Sequence, residues 1–349
     1  MSSGYLEKLP VSMALLQTVA RLEYMRGQQD LFKTQAPELL KELQTIASIE
    51  STESSTRLEG ATAPRERITE LMLKDPTPQD RSEAEIAGYR DALRLIHENA
   101  PHMPFSENVT KQIHQTLYGY LPQPGGSYKA TQNDIVERDV RGDILRVRFR
   151  PSSPVQTPGA MLGLIERYQS AVDRGTVQPL ILVALAVLDF LCIHPFSDGN
   201  GRTARLLTLL LLYHHGFEVG RYISLERVIE ESREGYYDTL EASSQGWHDG
   251  EHDALPWLEY FLGVLTKACS EFEERVATIR GSHGTKTDMV RAAVERRNGP
   301  FKISDIDREL PNVSRDHIRN VLNGLREEGL LQLEGTGRGS RYVPVRDER

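Results

Sequence analysis

IHPFSDGNGRTARLL, Ile193 to Leu207, sets one histidine, one aspartate, one asparagine, two glycines and two arginines into the twelve positions His194–Arg205, between strongly apolar segments. The segment from Asn200 to His215 reads as an apolar helix with Gly216 as its stop, and that from Gln178 to Ile193 as another. The polar stretch is then a loop feeding a helix N-terminus, where free N–H groups and the helix dipole attract negative charge. Gly199 and Gly201 let the backbone approach a ligand closely because they lack a Cβ. Arg202 and Arg205, three apart, project from one side of the first turn, and arginine holds phosphate oxygens in a bidentate fork. Asp198 offers a hard oxygen ligand suited to Mg²⁺ shared with phosphates. His194 can take a proton near neutral pH. Cradle, metal ligand, clamps and base describe phosphate transfer. A polar loop that merely caps a helix explains each residue singly, but not all of them in twelve positions.

The rest of the composition bounds the answer. The 349 residues suffice for two or three domains. Two cysteines, Cys192 and Cys269, make no disulfide framework, and the opening MSSGYLEKLP has no export signal, so a cytoplasmic protein is expected. The most apolar run, Leu180 to Ile193, contains Asp189 and falls short of the roughly 20 residues of a membrane span. It reads as a buried helix, and no membrane partner is expected. The net charge of −8 is uneven. From Lys286 onward, 13 Lys+Arg face 11 Asp+Glu, a net of +2; the remainder has 29 against 39, a net of −10. That argues against nonspecific nucleic-acid binding by the main body and leaves it open for the tail.

Helical periodicity dominates, in Ser12 to Gln28, in Ser82 to Ala100 with Ser82 and Glu85 spaced as a capping box, and in Trp257 to Thr278. Two β-like runs near 134–138 and 144–150, around Arg141-Gly142-Asp143, predict a hairpin. Gly281 to Thr287 reads as a linker. Past it come helix, short helix, helix and hairpin, the outline of a winged helix. In its third helix Ser314 is the expected N-cap, with Val313 and Ile318 as a staple. Ile318, Val321, Leu322 and Leu325 form the core stripe, leaving Arg315, Arg319, Asn323 and Arg326 on the other side, with Arg338 and Arg341 in the wing. That pattern suits DNA, or protein contact, since Asp316, Glu327 and Glu328 would repel a DNA backbone.

HPFSDGNGR followed by TAR resembles the signature of Fic-domain proteins, HxFx(D/E)GNGRxxR, at every specified position from His194 to Arg205. The resemblance implies a mainly α fold: an all-α Fic core with a short β-hairpin flap, followed by the small winged-helix α+β domain. It implies transfer of AMP from ATP to a hydroxyl side chain of a target protein. His194 would deprotonate the attacking Ser, Thr or Tyr, and Asp198 would hold Mg²⁺ on the α- and β-phosphates. Gly199, Asn200 and Gly201 would form the anion nest, and Arg202 with Arg205 would hold the β- and γ-phosphates; Thr203 and Ala204 complete the ATP-binding run. The flap would pin the target segment by main-chain pairing. Tyr236 and Tyr237 stand where relatives place groups against the adenine. Relatives also dimerise, although no stretch of this sequence reads as an interface.

SSTRLEGA, Ser54 to Ala61, resembles the family's inhibitory pattern (S/T)xxxE(G/N), met by Ser55, Glu59 and Gly60. On a helix Ser55 and Glu59 share one face, and the resemblance pairs Glu59 with Arg205, where its carboxylate would obstruct the γ-phosphate. The same glutamate could position water to remove AMP from a modified target. The expected organisation is an N-terminal helical region with the inhibitory helix over 1–105, a Fic core over 106–280 and the winged helix over 285–349. The competing expectation is a DNA-binding regulator whose Fic core senses nucleotide or modifies only itself.

Overall fold

The computed structural model describes residues 9–345 except 36, 140, 296, 298, 311–312 and 336–339. Among the described residues the chain is mainly helical, with two short antiparallel strand pairs. It divides into two compact units, Met1–Phe272 and Glu273–Arg349.

The first unit begins with α1 (Met13–Gln35), α2 (Pro37–Leu58), α3 (Arg65–Lys74), α4 (Arg81–Asn99) and α5 (Glu107–Leu117). The hairpin β1 (Ile135–Arg138) and β2 (Ile144–Phe149) follows. Next come α6 (Thr157–Arg174), α7 (Pro179–Ile193), α8 (Asn200–His214), α9 (Leu225–Glu231) and α10 (Arg233–Ser244). α11 (Leu255–Glu295) carries residues of both units.

α7 is the centre of the first unit. Every residue from Leu180 to Ile193 is buried, as a helix apolar on all sides must be. Gln178 caps it, its side chain accepting from the Leu180 and Ile181 N–H groups, with Pro179 at the first helical position. Packed against it are α6, α8 and α10, and α8 also packs on α4 and α5. The one charge in the apolar run, Asp189, accepts a hydrogen bond from Trp247 Nε1 at 2.7 Å. α8 ends as expected: Gly216 has φ 77°, and Phe217 and Gly216 donate to the Leu212 and Tyr213 carbonyls. Among the described residues no helix is long and apolar enough to cross a membrane.

Three details depart from expectation. Asp80, not Ser82, caps α4, accepting from the Glu83 N–H at 2.8 Å. Glu85, expected as the return partner of a capping box, is engaged instead by Arg81 at 2.9 Å and Arg202 at 2.8 Å. The stretch 281–287, expected as a linker, lies within α11. There the helical hydrogen bonds of both flanks continue through two glycines that each cost about 1 kcal/mol.

The hairpin is as expected. β1 and β2 pair antiparallel, and the turn closes on Asp139, whose side chain accepts from the Arg141 and Asp143 N–H groups. In the second unit, α12 (Ile303–Glu309) and α13 (Arg315–Glu327) precede the antiparallel pair β3 (Leu331–Glu334) and β4 (Arg341–Pro344). Ser314 caps α13. Ile318, Leu322 and Leu325 are buried with Val313 and Phe301, and Val321 packs against that cluster. Arg315, Arg319, Asn323, Arg326 and Arg341 are exposed; Arg338 lies outside the described residues.

Candidate active site

Two left-handed residues shape the loop between α7 and α8. His194 caps α7 with φ 52°, its N–H donating to the Phe190 carbonyl at 2.9 Å, and Gly199 precedes α8 with φ 75°. A non-glycine residue in that region costs about 1–3 kcal/mol and persists only where its surroundings hold it. The Phe196 N–H donates to Asn200 Oδ1 at 2.9 Å, and Asn200 Nδ2 donates to the Phe196 carbonyl at 2.7 Å. The Asn200 side chain thus braces the loop; what it offers a ligand is its backbone N–H. Phe196 is buried and stacks on His114, ring centroids 3.8 Å apart at 9°. The Gly126 N–H donates to His114 Nδ1 at 2.8 Å, which puts the ring proton on Nε2, 3.0 Å from the Asp198 carbonyl. Burial drops the His114 pKa to about 4, so this neutral tautomer persists at neutral pH.

The loop opens onto a cavity of about 850 Å³. His194, Asp198, Gly199, Asn200, Gly201, Arg205, Tyr236, Tyr237 and Glu59 all line it, together with Ile135, Val136, Arg148 and Phe149 of the hairpin. The N–H groups of Asn200, Gly201 and Arg202 stand in the first turn of α8, without intrahelical acceptors.

Arg202, Thr203 and Ala204 do not line the cavity, contrary to expectation. Arg202 is 2% exposed, its Nη1 donating to Glu85 Oε2 at 2.8 Å and its Nη2 lying 3.8 Å from Asp198 Oδ2. A carboxylate as buried as Glu85 demands partners, and Arg202 is the buried one of its two, with Arg81 on the other oxygen. Thr203 Oγ1 donates back to the Gly199 carbonyl, and Ala204 is core.

Arg205 meets the segment around Ser55 and Glu59 that is expected from the sequence to be inhibitory. Its Nε donates to Ser55 Oγ at 2.8 Å, and its Nη2 donates to the Ser55 carbonyl at 3.0 Å and Glu59 Oε1 at 2.8 Å. Burial works against the Arg205 charge, but the Glu59 carboxylate outweighs it and pushes the pKa up. A Cβ added to Gly201 would collide with Glu59 Oε1, so the carboxylate lies directly over the first turn of α8. The expectation placed Glu59 on the helix with Ser55, but α2 ends at Leu58 and Glu59 is the first residue beyond it. Gly60 has φ 90°, and the Gly60 and Ala61 N–H groups donate to the Arg57 and Thr56 carbonyls. That paired bonding makes Gly60 the helix stop and sets Glu59 at the cap, turned towards Arg205.

Burial and the Lys129 ammonium lower the His194 pKa to about 4, against the raising effect of the Leu191 carbonyl. The imidazole is therefore unprotonated at neutral pH. Partial burial raises Asp198, but the Gly199 N–H and the Arg202 guanidinium prevail and hold its carboxyl below the usual range. Among the described residues no group of three His, Cys, Asp or Glu could hold a metal alone. One exposed, ionised carboxylate fits a Mg²⁺ delivered on phosphates and otherwise hydrated.

Sequence reasoning missed His114, Lys129 and Asn133, which brace the loop from outside the signature, and Arg148 and Arg233 on the cavity wall. Arg233 stood three residues before Tyr236 and was legible as a cation beside the aromatic pair. The bracing residues carried no such signal.

The site sets the first turn of a helix, whose leading N–H groups have no intrahelical acceptors, beside a histidine unprotonated at neutral pH and a buried arginine. Residues 104–212 match the model of the Fic/DOC family, and the chain carries a Fic domain of that family. It is 26% identical over 197 residues to the protein adenylyltransferase fic-1 of Caenorhabditis elegans, covering 55% of this chain and 34% of that one. It is 27% identical over 218 residues to the protein adenylyltransferase Fic of Culex quinquefasciatus, covering 59% and 39%. The matches thus span little more than a third of these relatives' length. Among solved structures, a Fic family protein from Desulfovibrio desulfuricans G20 superposes with a TM-score of 0.61 at 22% identity, covering 97% of this chain and 98% of that one.

Proposed function

We propose that the chain is a protein adenylyltransferase held in check by its own Glu59. The observation that carries this reading is that His194, Asn200 and Gly201 at the start of α8, and Arg205 line one cavity, while the Glu59 carboxylate lies on Arg205 and over Gly201. A triphosphate would set its charge against the start of α8, with its terminal phosphate on Arg205 in place of Glu59. The target hydroxyl attacks the α-phosphorus, the bond to the α,β-bridging oxygen breaks, diphosphate leaves, and the hydroxyl proton passes to His194. Asp198 would hold a Mg²⁺ delivered with the nucleotide, which would supply positive charge against the leaving diphosphate. Tyr236 and Tyr237, ring centroids 5.2 Å apart on the cavity wall, supply an aromatic surface for the base. The hairpin over the cavity supplies a strand edge for an extended target segment. Removal of AMP by a Glu59-positioned water remains a second use of the same site.

The test is the fate of label. Glu59→Gly incubated with ATP and Mg²⁺ is expected to take label from the α-phosphate into protein at least tenfold above the parent chain, and to lose that transfer in Glu59→Gly with His194→Ala. Label entering from the γ-phosphate would instead identify a kinase-like reaction. The second unit keeps the regulator reading in view, because the exposed arginines of α13 suit a phosphate backbone. Against it, Arg319 is paired with Asp316 at 2.8 Å, and a regulator that only senses nucleotide needs no general base.

A further inference from the structure

Four consecutive carbonyls, those of Ile193, His194, Pro195 and Phe196, are engaged by two residues far outside the signature. Lys129 Nζ donates to the Ile193 carbonyl at 3.2 Å, and the Lys129 backbone N–H donates to the Pro195 carbonyl at 2.8 Å. Asn133 Nδ2 donates to the His194 carbonyl at 3.2 Å and the Phe196 carbonyl at 2.7 Å. Lys129 Nζ also donates to Asn133 Oδ1 at 2.7 Å, so the two act as one clasp. Lys129 is 3% exposed, an unusual position for an ammonium group and one that needs these acceptors. The carbonyls so engaged surround the left-handed residue His194. The second half of the loop has braces of its own, His114 on the Asp198 carbonyl and Thr203 on the Gly199 carbonyl, while Asn200 shares the Phe196 carbonyl with Asn133.

We propose that Lys129 and Asn133 are positioning residues that hold the left-handed turn at His194 and so aim its imidazole at the reacting hydroxyl. The inference rests on the adenylyl-transfer reading for its catalytic consequence, though not for the turn itself. Because the phosphate-facing half of the loop is braced independently, loosening the clasp should misplace the base while sparing the nucleotide. A displacement of about 1 Å at a reacting group can cost on the order of a hundredfold in rate.

The test adds Asn133→Asp to the Glu59→Gly protein. Aspartate keeps an oxygen for Lys129 but sets a carboxylate, without a donor, against two carbonyls. The expected result is a fall in kcat of about a hundredfold with the KM for ATP within about threefold. Lys129→Met should behave alike, and Lys129→Arg should recover most of the rate. Retention of kcat within twofold in both Asn133→Asp and Lys129→Met would overturn the proposal, as would a parallel rise in KM, which marks general loosening of the site. If the Glu59→Gly protein itself transfers no AMP, the adenylyl-transfer reading fails, and a crystal structure of Asn133→Asp decides the clasp alone. His194 leaving the left-handed region supports it, and His194 unmoved overturns it. Where Asn133→Asp does not fold, Lys129→Met carries the same readouts.

Discussion

His194 sits between two demands. A base must be unprotonated at working pH, and a side chain at a helix end facing a cavity would ordinarily titrate near 6.5. Burial and the nearby Lys129 charge bring it to about 4 instead. A group depressed in this way stays neutral from neutral pH down to about 5, and the stability it lends is complete above 6.5 and lost as pH falls towards 4. Titration of the ligand-free protein followed by NMR should place the His194 imidazole midpoint at least 1.5 units below the ordinary value; a midpoint at 6.5 would remove the argument for a ready base. At this scale the sequence was legible for placement where type and spacing suffice, as for His194, Gly199 and Arg205, which line one cavity. It was misleading where the role depends on a buried partner far along the chain. Arg202 has the same chemistry as Arg205, yet Glu85, 117 positions away, takes it. Asn200 adds a second role that its type alone did not announce, its side-chain amide closing on Phe196.

The end of α2 shows how an element ending can place a charged side chain. The last turns of α2 bury Ser51, Thr52, Ser54, Ser55 and Thr56, small hydroxyl side chains that remove little apolar area from water. Its charged flanks add Arg57 with Glu230 at 3.2 Å and Glu50 with Arg227 at 3.3 Å, partly exposed pairs of modest worth. What fixes Glu59 is the helix stop at Gly60. Nothing lies within 4 Å of a Cβ there, so the cost of a side chain is conformational alone. Gly60→Ala should lower the stability of the first unit by about 1–2 kcal/mol, with Gly60→Asn costing less, read as shifts in thermal melting. Equal melting of all three would show that the left-handed stop is unimportant. The α7 and α8 helices were legible because their apolar residues have no polar face to misassign. The cap of α4 was not, because Asp80 and Ser82 are both good caps and only the fold chooses between them.

Across the first unit, the decisive contact joins Glu59 to Arg205 over 146 positions. No periodicity or propensity predicts such a pairing; it entered the reading through resemblance, and the structure places the two side chains 2.8 Å apart. The Lys129–Asn133 clasp, equally long in range, had no motif to announce it. In this account one guanidinium serves two carriers of negative charge, the chain's own carboxylate and the terminal phosphate of a nucleotide. Isothermal titration with Mg²⁺ and nucleotide on the parent chain and Glu59→Gly tests that most directly. The variant is expected to bind ATP at least tenfold more tightly, while its affinity for AMP, which carries no phosphate to reach Arg205, changes less than twofold. Equal ATP affinity in the two proteins would contradict it.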